Sequence, residues 1–82
     1  MTYYAYILEC VDGTYYTGST DNLFMRVAQH NEGRGAAYTR SRLPAKLVYY
    51  EEFETRSQAA KRERELKKMN KTQKKKLVEK PS

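Results

Sequence analysis

The sequence predicts an α+β domain with elements in the order β-β-α-β-α, followed by a short additional helix. Three observations carry this prediction. The first eighteen residues are rich in aromatic and branched side chains around an Asp12-Gly13 turn, the pattern of a β-hairpin. From residue 21 to 31 the apolar period becomes helical. A third β-rich run, KLVYYEEF at 46–53, is set off by Pro44 and leads into a charged helical segment.

The hairpin comes first. Residues 3–11 (YYAYILECV) read as a strand, and residues 14–18 as its return. Loop length decides which tyrosines share a face, because strand side chains alternate. A two-residue loop sets residue 11 opposite 14 and puts Tyr6 and Tyr16 on opposite faces. A three-residue loop with Gly13 left-handed in a bulge sets 10 opposite 14, so that 8 faces 16 and 6 faces 18. Tyr6 and Tyr16 then point the same way, and Gly18 leaves room for the Tyr6 ring. Both loops are admissible on turn chemistry alone. In the helix that follows, Leu23, Phe24, Val27 and Ala28 form an apolar arc, ended by Gly33 and Gly35. Residues 34–44 (RGAAYTRSRLP) read as a basic loop. Thr55 and Gln58 have capping-box spacing for a helix over about 56–69, and a last helix fits 72–79.

Eighty-two residues make one domain (1–82), here a core over about 3–69 with a basic helical tail at 70–82. A chain of this size buries only ~60% of the surface its unfolded form exposes, so it supports one modest core. The single cysteine, Cys10, cannot form an internal disulfide, and one Cys with one His is too few ligands for a structural zinc. With no signal peptide and no long apolar run, a cytoplasmic protein without membrane attachment is expected. Charge is unevenly placed: residues 1–55 hold five Lys/Arg and seven Asp/Glu (net −2), residues 56–82 eleven and three (net +8). Such a basic segment points to a polyanion, most simply a nucleic acid, and no obligate protein partner is evident. The competing reading is a solvated lysine-rich helix.

Several residues are candidates for chemistry. Arg26 and His30 are four apart on one helix face, just outside the apolar arc. Singly, such residues more often solvate a helix edge or half-pack. Glu63 lies inside the stripe of Ala59, Ala60 and Leu66, whereas Glu65 faces solvent. A carboxylate aimed at a core is costly unless it is paired, hydrogen-bonded or metal-bound; a buried ion pair, for example with Arg26, is the competing reading. Arg34, Arg40 and Arg42 around Tyr38, with Lys67 and Lys71 beyond Glu63, are candidate nucleic-acid contacts.

Taken together these positions resemble the GIY-YIG nuclease superfamily. The first motif reads Tyr4-Ala5-Tyr6 and the second Tyr16-Thr17-Gly18, with Arg26 ten residues after the second tyrosine, His30 four later, and Glu63 on the downstream helix. The run GRGAAYTRSRLPAKLVYYEEF and the helix AAKREREL are similar to its small stand-alone bacterial branch. The resemblance implies a three-stranded antiparallel sheet flanked by helices, and it favours the bulged hairpin, since both motif tyrosines should line one site. It implies metal-dependent hydrolysis of a phosphodiester, with DNA the expected polymer. Glu63 would hold one Mg²⁺ or Mn²⁺, Arg26 would bind the phosphoryl oxygens, and Tyr16 would be general base or orient the water. Tyr6 would support Tyr16, and His30 would assist a proton relay or hydrogen-bond Tyr16. A free tyrosine titrates near ~10, so this role needs cationic neighbours. Ala5 and Thr17 stand where the motifs carry isoleucine. An asparagine that many members place well beyond the glutamate has only Asn70 as counterpart, which reads equally as a helix-end residue. A non-catalytic nucleic-acid-binding module retaining the fold is the alternative function, and an adaptor docking an acidic protein a third.

Overall fold

The computed structural model describes residues 1–79, so 80–82 of the expected tail lie outside the described residues. Seven elements follow one another: β1 (Tyr3–Glu9), β2 (Tyr15–Thr20), α1 (Leu23–Asn31), α2 (Ala37–Arg40), β3 (Lys46–Phe53), α3 (Arg56–Lys67) and α4 (Lys71–Glu79). The strands form one antiparallel sheet in the order β2-β1-β3. The α+β class, the order of elements and the antiparallel sheet are those expected from the sequence and its resemblance.

The hairpin takes the bulged form. Leu8 pairs with Tyr16 and Tyr6 with Gly18. The Cys10 amide donates to the Thr14 carbonyl at 2.8 Å, and Gly13 sits at φ +82°. Asp12 accepts from both the amide and the hydroxyl of Thr14, fixing the turn. This register puts Tyr6, Leu8 and Tyr16 on one face of the sheet.

Because β1 is the central strand, both of its faces are covered, and Ala5, Tyr6, Ile7 and Leu8 are all buried. Tyr6, Leu8, Cys10 and Ala45 make the core of one face, closed by Tyr16, Leu23, Val27, Leu43 and Leu47. The other face is covered by α3. Ser19 and Glu51 flank Ala5 on that face, and each is bonded to α3, Ser19 to Glu63 and Glu51 to Arg62. Ala59 and Leu66 supply the buried apolar contacts of α3.

Helix ends follow from local chemistry. Asn22 caps α1 by accepting from the Met25 amide at 3.1 Å. Gly33 at φ +79° ends it in a Schellman motif, with the Gly33 amide on the His30 carbonyl and the Arg34 amide on that of Gln29. The Thr55–Gln58 capping box forms in full. Asn70 and Gln73 exchange amide–side-chain bonds in the same manner before α4, so Asn70 serves as a helix cap.

Two expectations are corrected. The segment 34–44 is not all loop, because α2 forms one turn within it, too short to leave a periodic signal. On α1, Phe24 is 88% exposed, whereas the buried edge runs through Leu23, Arg26, Val27 and His30. That is an i, i+3, i+4, i+7 stripe with two polar members. Arg26 and His30 therefore lie within the packed edge of the helix rather than outside it.

Candidate active site

The site begins with Tyr6 in the middle of β1, 1% exposed. Gly18 stands opposite it, and a Cβ there would lie 2.5 Å from the Tyr6 hydroxyl. The absent side chain is what admits the phenol. The Tyr6 hydroxyl meets His30 Nε2 at 3.1 Å, with the Arg26 charge near enough to act on the phenol, while the Arg26 guanidinium itself donates to Gln29 Oε1 at 3.2 Å. Across the His30 ring, Nδ1 lies 2.9 Å from Thr39 Oγ1, whose hydroxyl donates to the Ala36 carbonyl at 2.9 Å. Gly35 closes on the same ring so tightly that a Cβ would collide with Nδ1. His30 is thus fully enclosed, with a partner on each nitrogen.

Tyr16 packs its ring on His30 at 5.1 Å between centroids and stacks with Tyr38 at 6.2 Å. The Arg42 guanidinium carbon lies 4.0 Å from the Tyr38 ring centroid. The expected hydrogen bond of His30 goes to Tyr6 and not to Tyr16, because the hairpin register places Tyr6 under the imidazole nitrogen and Tyr16 beside the ring face.

Glu63 approaches from the opposite face of the sheet. Its side chain is 20% exposed and accepts from the Ser19 hydroxyl at 2.6 Å and from Lys67 Nζ at 2.8 Å. The ion pair considered from the sequence is therefore made with Lys67, four residues on, rather than with Arg26. The two sides meet because β2 is an edge strand. A cleft of about 340 Å³ opens at this edge, lined by Ser19, Thr20, Arg26, Gln29 and Arg56 among others. The Tyr6 phenol lies within reach of the Glu63 charge and Lys67 within reach of the Tyr16 phenol.

Electrostatics sort these groups. Burial pushes Tyr6 up to about 12; the nearby Arg26 guanidinium opposes this, and the neighbouring Tyr16 adds to it. Burial and then the Arg26 charge lower His30, so both members of the pair are neutral near pH 7. Burial raises Glu63, but Lys67 and Ser19 more than offset it and hold the carboxyl below its usual value. Glu63 in turn raises Lys67.

A divalent ion can be tested against this donor set. Among the described residues there is no group of three or more His, Cys, Asp or Glu able to enclose a metal. A Mg²⁺ ion characteristically keeps several waters and is held by one or two carboxylates together with substrate phosphates. Glu63 fits that mode, because one oxygen is fixed by Ser19 and the other is covered only by an exposed lysine.

The remaining candidates are placed variously. Tyr38 and Lys67 stand at the site. Arg42 donates to Asp12 at 3.1 Å and to the Tyr38 carbonyl at 2.7 Å, which stitches segment 34–44 to the hairpin turn. Arg34 is exposed and paired with Glu32. Arg40 and Lys71 are exposed, and among the described residues neither bonds to the Tyr6–His30 cluster. Ser19, Gly35 and Thr39 are the participants that sequence reasoning missed. Ser19 was legible, since in the bulged register it shares a face with Thr17 across from Ala5. Thr39 left no signal outside the fold.

The chain was compared with known proteins. The family model for the GIY-YIG catalytic domain matches residues 2–76. A UPF0213 protein of Staphylococcus haemolyticus is 47% identical over 77 residues, covering 94% of each chain. One from Streptococcus pyogenes is 53% identical over 75 residues, covering 92% of this chain and 80% of that protein. The solution NMR structure of a UPF0213 protein from Bacillus halodurans superposes with a TM-score of 0.60 at 42% identity, over 95% of this chain and 83% of the other. Fold, motifs and matches define a member of a nuclease superfamily. The chain belongs to the GIY-YIG family and is similar to its UPF0213 proteins. Nucleases of this family act on nucleic acid and generally use a divalent metal ion.

Proposed function

We propose that the protein is a metal-dependent endonuclease-type phosphodiesterase acting on DNA, with its site at the β2 edge. The observation that carries this reading is the clustering of Tyr6, Tyr16 and His30 at β1 and β2, with Arg26 and Ser19 lining one cleft at the β2 edge and a half-buried Glu63 bonded to that Ser19. A purely structural sheet edge has no need of an inward carboxylate beside two phenols and a guanidinium.

The residues divide the work. Arg26 lies at the cleft and offers guanidinium protons to the phosphoryl oxygens, where charge accumulates as the phosphorus–oxygen bond breaks. Tyr16 either accepts the proton of the attacking water or orients that water by a hydrogen bond. Tyr6, buried and neutral, positions the water rather than taking its proton, and Gln29 accepts from Arg26. A divalent ion on Glu63, Mg²⁺ or Mn²⁺, would supply electrophilic stabilisation of the phosphate and of the leaving oxygen. Tyr38, Arg40, Arg42, Lys67 and Lys71 would then guide the backbone of the strand.

A second reading, a nucleic-acid-binding module that keeps the fold without cleaving, is favoured by one observation: Ser19 and Lys67 already occupy the Glu63 oxygens. Purified protein incubated with linear, nicked and branched DNA in Mg²⁺, Mn²⁺ or EDTA separates the two. Cleavage that requires metal and is lost in Tyr16→Phe, with DNA affinity retained, is the expected result. Binding without cleavage under every condition would support the second reading, and near-wild-type turnover by Tyr16→Phe would remove its assigned role.

A further inference from the structure

A chain of three side chains and a carbonyl runs under the site from Tyr6 through His30 and Thr39 to Ala36. Its last link fixes its direction. The Thr39 hydroxyl has one proton, which goes to the Ala36 carbonyl, so toward His30 its oxygen acts as acceptor. His30 then carries its proton on Nδ1, leaving Nε2 as a lone pair that accepts from the Tyr6 hydroxyl. Every donor in the chain has an acceptor. In the opposite arrangement Nε2–H would donate to the Tyr6 oxygen, and an unprotonated Nδ1 would face a Thr39 oxygen whose one proton is already given to Ala36. The Tyr6 proton would then have no acceptor in this chain, although the residue is 1% exposed. Buried hydroxyl donors are almost always paired, which decides against it.

We infer that Thr39 is a positioning residue: by holding His30 as the Nδ1–H tautomer it turns the Tyr6 hydroxyl proton inward and presents the phenol oxygen to the site as an acceptor. Which nitrogen of a histidine is protonated is set by the bond the other one makes. An acceptor beneath the attacking water is what the proposed hydrolysis needs, and a donor in that place would compete with the phosphate for the water's lone pairs. Gly35 belongs to the same device, because any side chain there would push His30 off Thr39. The inference rests on the nuclease reading for its consequence, but the tautomer itself is a property of the protein alone.

The test uses the full chain labelled with ¹⁵N at histidine. His30 is the sole histidine, so its two ring nitrogens are assigned without ambiguity. Long-range proton–nitrogen spectra at neutral pH should show Nδ1 protonated and Nε2 unprotonated in the wild type and in Thr39→Ser. In Thr39→Val, which has no acceptor for Nδ1–H, the proton should move to Nε2. With metal and a cleaved DNA substrate, kcat should fall about tenfold or more in Thr39→Val, recover in Thr39→Ser, and leave DNA affinity unchanged. A wild-type Nε2–H tautomer overturns the inference whether or not the valine variant folds. So does a folded Thr39→Val with wild-type tautomer or wild-type kcat. A wild type that has the expected tautomer yet cleaves nothing would instead retire the nuclease reading and, with it, only the catalytic consequence drawn here.

Discussion

Glu63 and Glu65 are two residues apart on α3 and live in different media. The first has a side chain 20% exposed between Ser19 and Lys67; the second is 51% exposed and pairs with Arg62. Neither pair should contribute much to stability, because Lys67 is 53% exposed and its ammonium is readily solvated once its partner is gone. Glu63→Gln and Glu65→Gln should therefore melt within a few degrees of the wild type in EDTA. Metal separates them. If Glu63 is the ligand, Mn²⁺ should raise the melting point of the wild type and of Glu65→Gln through binding linkage, and leave Glu63→Gln where it was. Glu63→Gln should also abolish metal-dependent cleavage without weakening DNA binding, since it removes a negative charge near the phosphate. Equal metal stabilisation of Glu63→Gln and wild type would move the ion elsewhere.

At the scale of elements, the hairpin decides whether there is a site at all. Turn chemistry left its register open between two parities, and only the resemblance favoured the one in which Tyr6 and Tyr16 share a face; the Leu8–Tyr16 pairing and the left-handed Gly13 confirm it. The strands, the three longer helices and the capping box at Thr55 were legible because each rests on local chemistry. What stayed hidden depends on contacts distant in sequence. The single turn of α2 has no periodicity, and Phe24 looks like core until the sheet selects the neighbouring stripe of Arg26 and His30. Glu63 could be read as inward-facing and Ser19 as sharing its face of the sheet, but the bond between them could not, because they are forty-four residues apart. The hairpin also yields a test. Gly18 carries no positive φ, so space rather than backbone strain forbids a side chain there. Gly18→Ala would place a methyl 2.5 Å from the Tyr6 hydroxyl and 2.7 Å from its ring carbon, inside a buried cluster that cannot yield freely. We expect a loss of about 1–3 kcal/mol in chemical denaturation, with displacement of Tyr6 from His30. A stable Gly18→Ala with an unchanged His30 ¹⁵N spectrum would show that the packing is looser than the geometry implies.

The whole molecule presents two electrostatic halves, and its grip on a polyanion should come from the basic one. Residues 1–55 are net −2 and residues 56–82 net +8, and Arg56 at the start of the basic half lines the cleft at the β2 edge. Of the α4 lysines, Lys71, Lys75 and Lys76 are exposed, whereas Lys74 is half-buried and has its pKa lowered by burial and by the charge of Lys67. Phosphate contacts made by exposed lysines release counterions from the nucleic acid, and log affinity falls with log salt by about 0.9 per phosphate neutralised on duplex DNA. A footprint of roughly six contacts would lose about 10³-fold between ~50 and ~200 mM salt. The triple variant Lys71→Gln, Lys75→Gln, Lys76→Gln should flatten that slope by up to about 2.7 and weaken binding similarly for every DNA sequence. Tyr16→Phe should leave the slope untouched, because it alters no charge that meets a phosphate. Fluorescence anisotropy over a salt series reads both effects. A slope unchanged by the triple variant would place the binding surface elsewhere, on the Tyr38–Arg42 segment that leads from α1 back to β3.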